Sequence, residues 1–323
     1  MKKILGIGNA LVDVLMEVED DRLLNTFNLP KGSMQLIDHQ KAKFIDNQTA
    51  NLKKTITTGG SAANTIHGIA RLGTATGFIG KVGKDSKGQL FYKDMKDSGT
   101  HPFLIESESM SGFALTFVSK DGERTFATYL GAASELTPDD ISEHLFNGYT
   151  IFHIEGYLVQ NHELIHKAVA LAKAKGLTVS LDLASYNIVN ENYDFLHELV
   201  EKYVDIVFAN EEEAKAFTGE EPEKALGKIA EVCDIAIVKV GTKGSFIKKG
   251  EQMHLIQPYQ ANCRDTTGAG DIYASGFLHG YINNYPLARC GKLGSYLSSE
   301  IIQVIGPKFS DKQWNEILKN RND

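Results

Sequence analysis

A glycine-rich turn near the C-terminal end of the chain joins an anion-binding backbone to a carboxylate. The sequence DTTGAGD at positions 265–271 leads into small and apolar residues that continue as a helix. The first N–H groups of a helix lack partners within it and carry partial positive charge, which favours a bound phosphate. Gly268, Ala269 and Gly270 would let phosphate oxygens approach the backbone, and Asp271 would face the same point. The expected chemistry is phosphoryl transfer, in which a carboxylate takes the proton of an attacking hydroxyl.

Ordinary helix capping is the simpler interpretation of this turn, since aspartate, threonine and glycine are common at such positions. The composition of the segment favours chemistry, because two threonines, two glycines and two aspartates fall within 265–271. We therefore predict a catalytic turn here.

A second glycine pair, Gly59 and Gly60, also precedes a helical stretch, in which Ile66 and Ile69 recur at helical spacing. Asn64 would lie in the first turns of that helix. Its amide offers both a donor and an acceptor, which suits the neighbouring hydroxyls of a sugar. Local solvation of the helix start explains this asparagine equally well.

The chain of 323 residues is long enough for one large α/β domain with an appendage, or for two medium domains. Its formal net charge of −7 argues against a nucleic acid partner, because duplex binding depends on lysine and arginine. Cys233, Cys263 and Cys290 show no paired spacing, so we expect no disulfide framework and a cytoplasmic location. We expect no membrane partner, since no uncharged apolar run is long enough to cross a bilayer.

Short apolar runs alternate with amphipathic helical segments along most of the chain. This alternation predicts an α/β fold with a mostly parallel central sheet flanked by helices, and such sheets bind ligands beyond the carboxyl ends of their strands. The expected helices include 162–175, 194–203 and 223–233, and the expected strands are 4–7, 75–79, 151–154, 178–183, 206–209 and 236–240.

Two stretches break this alternation and predict a small antiparallel sheet. Residues 12–19 alternate as a strand does, and 113–129 predict a hairpin around an Asp-Gly turn. With a two-residue turn, Phe117 would face Phe126 and Ser119 would face Arg124. We assign 12–37 and 100–130 to this sheet, as a lid over a site, and 1–11, 38–99 and 131–323 to the core. The outer face of the lid would alternatively pair with a second subunit to form a homodimer.

Two common nucleotide-binding motifs are missing. Every Gly-Lys pair lacks a following serine or threonine, so the chain has no Walker A loop. The glycines at positions 6 and 8 lack the third glycine of a dinucleotide fingerprint. The sequence therefore argues against both a P-loop enzyme and a typical dehydrogenase.

Three segments together resemble the signatures of the PfkB, or ribokinase-like, family of carbohydrate and nucleoside kinases. GGSAAN at 59–64 is similar to the N-terminal signature, DTTGAGD at 265–271 to the C-terminal signature, and NEEE at 210–213 to the Asn-x-x-Glu element. They follow the family's order, and the resemblance runs nearly end to end. It implies a ribokinase-like fold and ATP-dependent kinase activity.

The resemblance implies roles for residues on the acceptor side. Asp271 would be the general base, and the amides of Gly268, Ala269 and Gly270 would form the anion hole. Asp13 lies in a segment similar to the element whose aspartate binds substrate hydroxyls. The other substrate-binding residues would be Gly59, Gly60 and Asn64.

The resemblance also implies a nucleotide side. Asn210 and Glu213 would organise Mg²⁺ and the phosphates, largely through water. Gly241, Gly244 and Thr267 would lie beside the ATP.

Some relatives bind a monovalent cation beside the anion hole. Asp265, Thr267, Gly306 and Ser310 fall at roughly matching positions, and Asp265 and Ser310 are the expected ligands of a K⁺ ion. Pro307 and Lys308 depart from the family pattern at this place.

The acceptor is expected to be adenosine, because the segments 128–133 and 153–158 look most similar to the adenosine-kinase-like branch. The alternative is a free sugar such as ribose or fructose, and a more distant one is a ligand-binding protein that kept the fold and lost the chemistry. Phe113 and Phe117 would distinguish the first two by stacking on a base. Filling the interior of the lid is the more common role for a single ring.

Overall fold

The computed structural model describes residues 2–120 and 123–320. Within these residues the strands are β1 (Lys3–Ile7), β2 (Leu11–Glu17), β3 (Met34–Leu36), β4 (Lys54–Gly59), β5 (Ala75–Gly83), β6 (Thr100–Ser107), β7 (Gly112–Val118), β8 (Arg124–Tyr129), β9 (Ile151–Glu155), β10 (Thr178–Asp182), β11 (Ile206–Asn210), β12 (Ile235–Lys239), β13 (Ser245–Lys249) and β14 (Gln252–Ile256). The helices are α1 (Arg22–Thr26), α2 (His39–Gln48), α3 (Ser61–Arg71), α4 (Ser86–Asp97), α5 (His162–Ala174), α6 (Tyr186–Glu191), α7 (Tyr193–Tyr203), α8 (Glu211–Thr218), α9 (Pro222–Val232), α10 (Ala269–Ile282), α11 (Leu287–Ile301) and α12 (Asp311–Asn320). No helix in these ranges is long and apolar enough to span a bilayer.

A large sheet of nine strands forms the centre of the molecule, in the order β14-β13-β12-β11-β10-β9-β1-β5-β6. The strands from β12 to β6 run parallel, and β13 and β14 add an antiparallel hairpin at one edge. All six strands expected from the apolar runs belong to this sheet. The predicted α/β fold class is confirmed.

Helices cover both faces of the large sheet, which explains why its central strands read as continuous apolar runs. On one face, Phe152 and Val207 pack into a core with residues of α5, α7, α8 and α9. On the other face, Phe78 and Phe208 pack with residues of α3, α4 and α10. The two cores fix the carboxyl ends of the parallel strands relative to the helices that begin there.

A small sheet of five strands has the order β3-β8-β7-β2-β4 and encloses its own apolar core. Its predicted antiparallel character is only partly right, because β2 pairs with β7 and β3 pairs with β8 in parallel. Two strands were assigned to the wrong sheet. β4 was expected in the core but lies in the small sheet, and β6 was expected in the lid but lies in the large sheet. Local alternation identifies a strand but does not specify its pairing partner. The division into domain ranges otherwise stays a prediction.

The predicted register of the β7–β8 hairpin is wrong by one residue. Phe117 pairs with Thr125 and Thr116 with Phe126. The Ser119 amide donates to the Glu123 carbonyl at 2.9 Å, which leaves three connecting residues. The predicted Asp-Gly turn at 121–122 lies outside the described residues. Because neighbouring side chains in a strand point to opposite faces, this offset places Phe126 on the face opposite to Phe117.

Candidate functional site

A cavity of about 1600 Å³ lies at the carboxyl edge of the large sheet, where residues of the small sheet also line it. A pocket for a single small molecule measures about 300–1000 Å³, so this one has room for two ligands. Four adjacent parallel strands each end there in a polar residue, because carboxyl ends of parallel strands share one edge. These residues are Glu155 of β9, Asp182 of β10, Asn210 of β11 and Lys239 of β12.

The two glycine turns meet at Asp271, in the first turn of α10. One carboxylate oxygen accepts a hydrogen bond from the Ser61 hydroxyl at 2.8 Å, and the other accepts from the Asn64 side-chain amide at 2.9 Å. Both donors lie at the start of α3. The acid is therefore oriented by a helix other than its own, and it lines the cavity as expected.

The electrostatic surroundings of Asp271 suit a general base. Burial raises the pKa of its carboxyl to about 6, and the hydrogen bonds from Asn64 and Ser61 oppose this rise because they favour the charged form. An acid with this pKa is ionised at neutral pH and remains basic enough to accept a proton.

The three predicted anion-hole amides are not equivalent. Gly268 precedes α10 with φ of 76°, a left-handed conformation that favours glycine. The Ala269 amide donates to the Thr266 carbonyl at 3.1 Å, which closes the turn. Within the described residues no hydrogen bond engages the amides of Gly268 and Gly270. Two of the three donors are therefore open, that is, without a protein partner; Gly270 lines the cavity, whereas Gly268 packs against Pro307.

Lys239 is brought to the same turn, although the sequence indicated only a strand and a turn there. Its ammonium lies 3.1 Å from an Asp182 carboxylate oxygen, and a Cβ added to Gly270 would sit 3.0 Å from it. Burial alone would lower the pKa of Lys239, but Asp182 and Glu213 raise it above its usual value. The side chain thus remains positively charged beneath the glycine turn.

Asn210 and Glu213 form a reciprocal cap at the start of α8. The Asn210 side-chain oxygen accepts from the Glu213 amide at 2.9 Å. The two Glu213 oxygens accept from the backbone and side-chain amides of Asn210 at 2.8 and 2.7 Å. Burial and the nearby Asp182 raise the pKa of Glu213 to about 7, against the effect of Lys239.

This arrangement fits a magnesium ion bound through water rather than directly. Both Glu213 oxygens already have protein donors. Across 2–120 and 123–320, no group of three or more His, Cys, Asp or Glu side chains is placed to hold a metal ion. Mg²⁺ usually keeps several of its waters in proteins, so the predicted role of Asn210 and Glu213 is chemically consistent.

The predicted nucleotide-side residues Gly241, Gly244 and Thr267 all line the cavity. Gly241 and Gly244 belong to the short turn after β12. The Thr267 amide donates to an Asp265 carboxylate oxygen at 3.0 Å, which orders the segment before α10. All three residues thus line the same cavity, and their role beside a nucleotide stays a prediction.

Asp13 and Gly60 line the opposite end of the cavity, and Gly59 packs against Asp13. Burial raises the pKa of Asp13 to about 6, while the positive charges of Lys308 and Arg124 oppose the rise. A Cβ at Gly59 would collide with the Asp13 carboxylate, so only glycine allows this approach. Gly60 follows with φ of 97° and begins α3.

Two further polar side chains, Asn64 and Glu155, lie at this end of the cavity. The side-chain oxygen of Asn64 is buried and has no partner among the described residues, so a ligand hydroxyl would satisfy it. Glu155 accepts from the Asn9 side chain at 2.6 Å and from the Ala62 amide at 3.1 Å. Burial raises the pKa of Glu155 to about 7. This carboxyl joins β9 to the start of α3; it lies in the segment 153–158, but the sequence indicated no role for it.

The small sheet contributes an apolar wall formed by Met34, Leu36 and Phe126. Phe113 and Phe117, which the sequence proposed for stacking, are only 4% and 0% exposed and fill the core of that sheet. The two rings therefore have the role that the sequence analysis gave as the more common one, filling the lid, and Phe126 lies on the other face.

Asp265 and Ser310, the expected cation ligands, already have protein partners. Asp265 is buried and pairs with the Arg124 guanidinium, and it also accepts from the Gly306 amide at 2.6 Å. Ser310 is exposed, and its hydroxyl donates to the Gln313 side chain at 2.8 Å. The K⁺ site stays a prediction, and the Arg124 guanidinium already neutralises the carboxylate of Asp265.

The sequence HELIH at 162–166 has the spacing of a zinc-protease motif, but among the described residues no group of three metal-ligating side chains includes its histidines. His162 stacks on Phe195 with ring centroids 3.8 Å apart, and His166 meets the edge of the same ring at 5.1 Å. The His162 ring also bonds to Asn192 at 3.1 Å. The motif therefore serves packing.

Comparison with known proteins agrees with this geometry. Residues 33–314 match the model of the pfkB family carbohydrate kinases. Two solved structures are 32% identical: a probable sugar kinase from Rhizobium etli, covering 98% of both chains with a TM-score of 0.90, and the adenosine kinase from Sinorhizobium meliloti, covering 98% of this chain and 99% of that one with a TM-score of 0.89. A 5-dehydro-2-deoxygluconokinase from Listeria monocytogenes is 30% identical over 76% of this chain and 80% of its own length.

Proposed function

Because the chain belongs to the pfkB family of carbohydrate kinases, we propose that it transfers the γ-phosphate of ATP to a primary hydroxyl of a nucleoside, adenosine in particular. Kinase activity follows from the family, and the acceptor is the proposal. The alternative, a free-sugar kinase, is favoured by the sugar kinases among the relatives.

The apolar wall of the cavity is the observation that carries the nucleoside proposal. Met34 and Leu36 of β3 are 45% and 55% exposed although they line the cavity, and Phe126 of β8 lies beside them. A free sugar has only a small C–H face among its hydroxyls, so it would cover little of such a surface. A nucleobase offers a flat apolar face that an aromatic ring can stack on.

The residues of the site divide the reaction between them. Asp13 and the unpartnered side-chain oxygen of Asn64 would hold the ribose hydroxyls. Asp271 would accept the proton as the acceptor oxygen attacks the γ-phosphorus, and the bond to the bridging oxygen would break so that ADP leaves with its electron pair. Mg²⁺ offsets phosphate charge when bound, and Asn210 and Glu213 would hold it through water.

The acceptor is tested by measuring ADP release from Mg-ATP with adenosine, inosine, ribose and fructose. We expect kcat/KM to be highest for adenosine. Replacing Phe126 by Ala should lower kcat/KM for adenosine by about tenfold through lost stacking and burial, and should leave any ribose activity unchanged. Tyr92→Ala, an exposed aromatic on α4, is the matched control.

A higher kcat/KM for ribose or fructose than for either nucleoside would overturn the proposal and favour the sugar-kinase alternative. Equal loss of adenosine and ribose activity in Phe126→Ala would also contradict it, because the ring would then act on folding rather than on the base.

A further inference from the structure

Lys239 supplies the positive side-chain charge of the cavity. Of the described residues, it is the only lysine or arginine that lines this space, whereas several carboxylates do, including Asp182, Glu213 and Asp271. ATP adds further negative charge. A cavity that accepts it needs a compensating cation close to the phosphates.

The Lys239 ammonium lies beside the glycine turn, where negative charge would develop on the transferred phosphoryl group. Nζ of Lys239 lies 3.0 Å from where a Cβ of Gly270 would be. Gly270 carries one of the two open amides of the turn and is followed by Asp271. The lysine side chain is 16% exposed, so little water screens its charge.

We propose that Lys239 is a catalytic residue whose ammonium contacts the phosphoryl group during transfer, from beneath Gly270. The proposal rests on the phosphotransfer reaction and not on the identity of the acceptor. The acceptor oxygen forms a bond to the γ-phosphorus, Asp271 takes the hydroxyl proton, and ADP leaves with the electrons of the broken bond. Lys239 keeps its proton throughout and stabilises charge on the phosphoryl oxygens.

A purely structural ion pair with Asp182 is the competing explanation. Asp182 is the nearest carboxylate, at 3.1 Å, and removing one partner of a buried pair leaves the other uncompensated. The two explanations differ in a double variant. If Lys239 only neutralises Asp182, replacing both charges together restores function, whereas a lysine that contacts phosphate cannot be replaced in this way.

The experiment compares Lys239→Met, Lys239→Arg and the double variant Asp182→Asn/Lys239→Met, with Lys243→Met as control. Lys243 is exposed in the turn that follows β12. We expect Lys239→Met to lower kcat by about 10²-fold or more while KM for ATP changes less, as for loss of an oxyanion donor. Lys239→Arg should recover part of that loss, and the double variant should stay as impaired as Lys239→Met.

Binding of ADP with aluminium fluoride, measured by calorimetry, gives a readout that needs no turnover. The wild type should bind ADP more tightly when aluminium fluoride is present, and Lys239→Met should lose about tenfold of this preference while binding ADP alone normally. A double variant that regains wild-type kcat, or an unchanged preference in Lys239→Met, would overturn the proposal. Wild-type inactivity on adenosine would overturn only the acceptor assignment.

Discussion

Two helices begin at the same cavity in opposite ways. At α8, the side chains and amides of Asn210 and Glu213 satisfy one another. At α10, Gly268 provides no side-chain cap, two amides are open and Asp271 is held by residues of α3. A helix start that satisfies its own donors supports a site, whereas a start that leaves donors open depends on a ligand for them.

Replacing Asp271 by Asn should have the largest effect on this comparison. The amide keeps the shape of the side chain but accepts no proton, so kcat should fall by about 10²-fold to 10⁴-fold. Affinity for ATP should change little, because the residues proposed to bind the nucleotide are untouched. Steady-state kinetics with varied ATP separates the two parameters.

The control for this variant is Asp97→Asn, which changes an exposed acid on α4. A kcat of Asp271→Asn within about threefold of the wild type would show that another group accepts the proton and would remove the special role of α10.

The pH dependence of kcat tests how α3 supports Asp271. With a pKa of about 6, the base is protonated below that pH, so kcat should fall as the pH drops through 6. Ser61→Ala removes a donor to the charged form and raises this pKa, so the acid limb should move upward by about one unit, a loss of about fivefold in kcat at pH 6. Rates near pH 8 should agree.

Ser299→Ala is the matched control, because Ser299 lines the cavity and donates to the Tyr296 carbonyl instead. Asp13 has a similar pKa but no hydrogen bond to Ser61. If the acid limb of kcat does not move in Ser61→Ala, the limb reports the titration of Asp13 and not of Asp271.

Replacing Asn210 by Ala should have the smallest effect on kcat, about tenfold or less, and should act mainly on stability. Loss of the cap costs about 1 kcal/mol in the free energy of unfolding. Asp38→Ala removes the cap of α2, where the side chain accepts from the Lys41 amide at 2.7 Å and no second acid depends on it. Asn210→Ala should therefore cost more, as measured by urea unfolding.

A loss of kcat in Asn210→Ala as large as that of Asp271→Asn, with unchanged unfolding, would break the contrast between the two helix starts. The start of α8 would then contribute to the reaction as directly as the start of α10.

The sequence predicted the features that depend on local pattern. Apolar runs located the parallel strands of the large sheet. The two glycine turns located the N-terminal starts of α3 and α10, which meet at Asp271. These succeeded because both depend on short segments whose residue types have few structural alternatives.

Features that depend on pairing between distant segments were not predictable in this way. The one-residue register offset in the β7–β8 hairpin decided which aromatic ring lines the cavity. Whether the hairpin loop has two residues or three is not specified by an Asp-Gly pair alone, yet it reverses the face of every following side chain.

The surroundings of Lys239 and Glu155 could not be predicted from the sequence either. Each is the last residue of a parallel strand, and each gains its importance from groups on other elements, such as Asp182 for the lysine and the Ala62 amide for the acid. Their surroundings exist only after the strands are ordered in the sheet. The spacing of residues along the chain does not specify the order of the strands in the sheet.

The apolar wall and the reacting groups belong to different parts of the backbone. Met34, Leu36 and Phe126 come from the small sheet, whereas Asp271 and Lys239 come from the large sheet and its helices. Mutations that reshape the wall can therefore accumulate without disturbing bond formation. This separation would let the acceptor preference of such a site change while the groups proposed for phosphoryl transfer keep their positions.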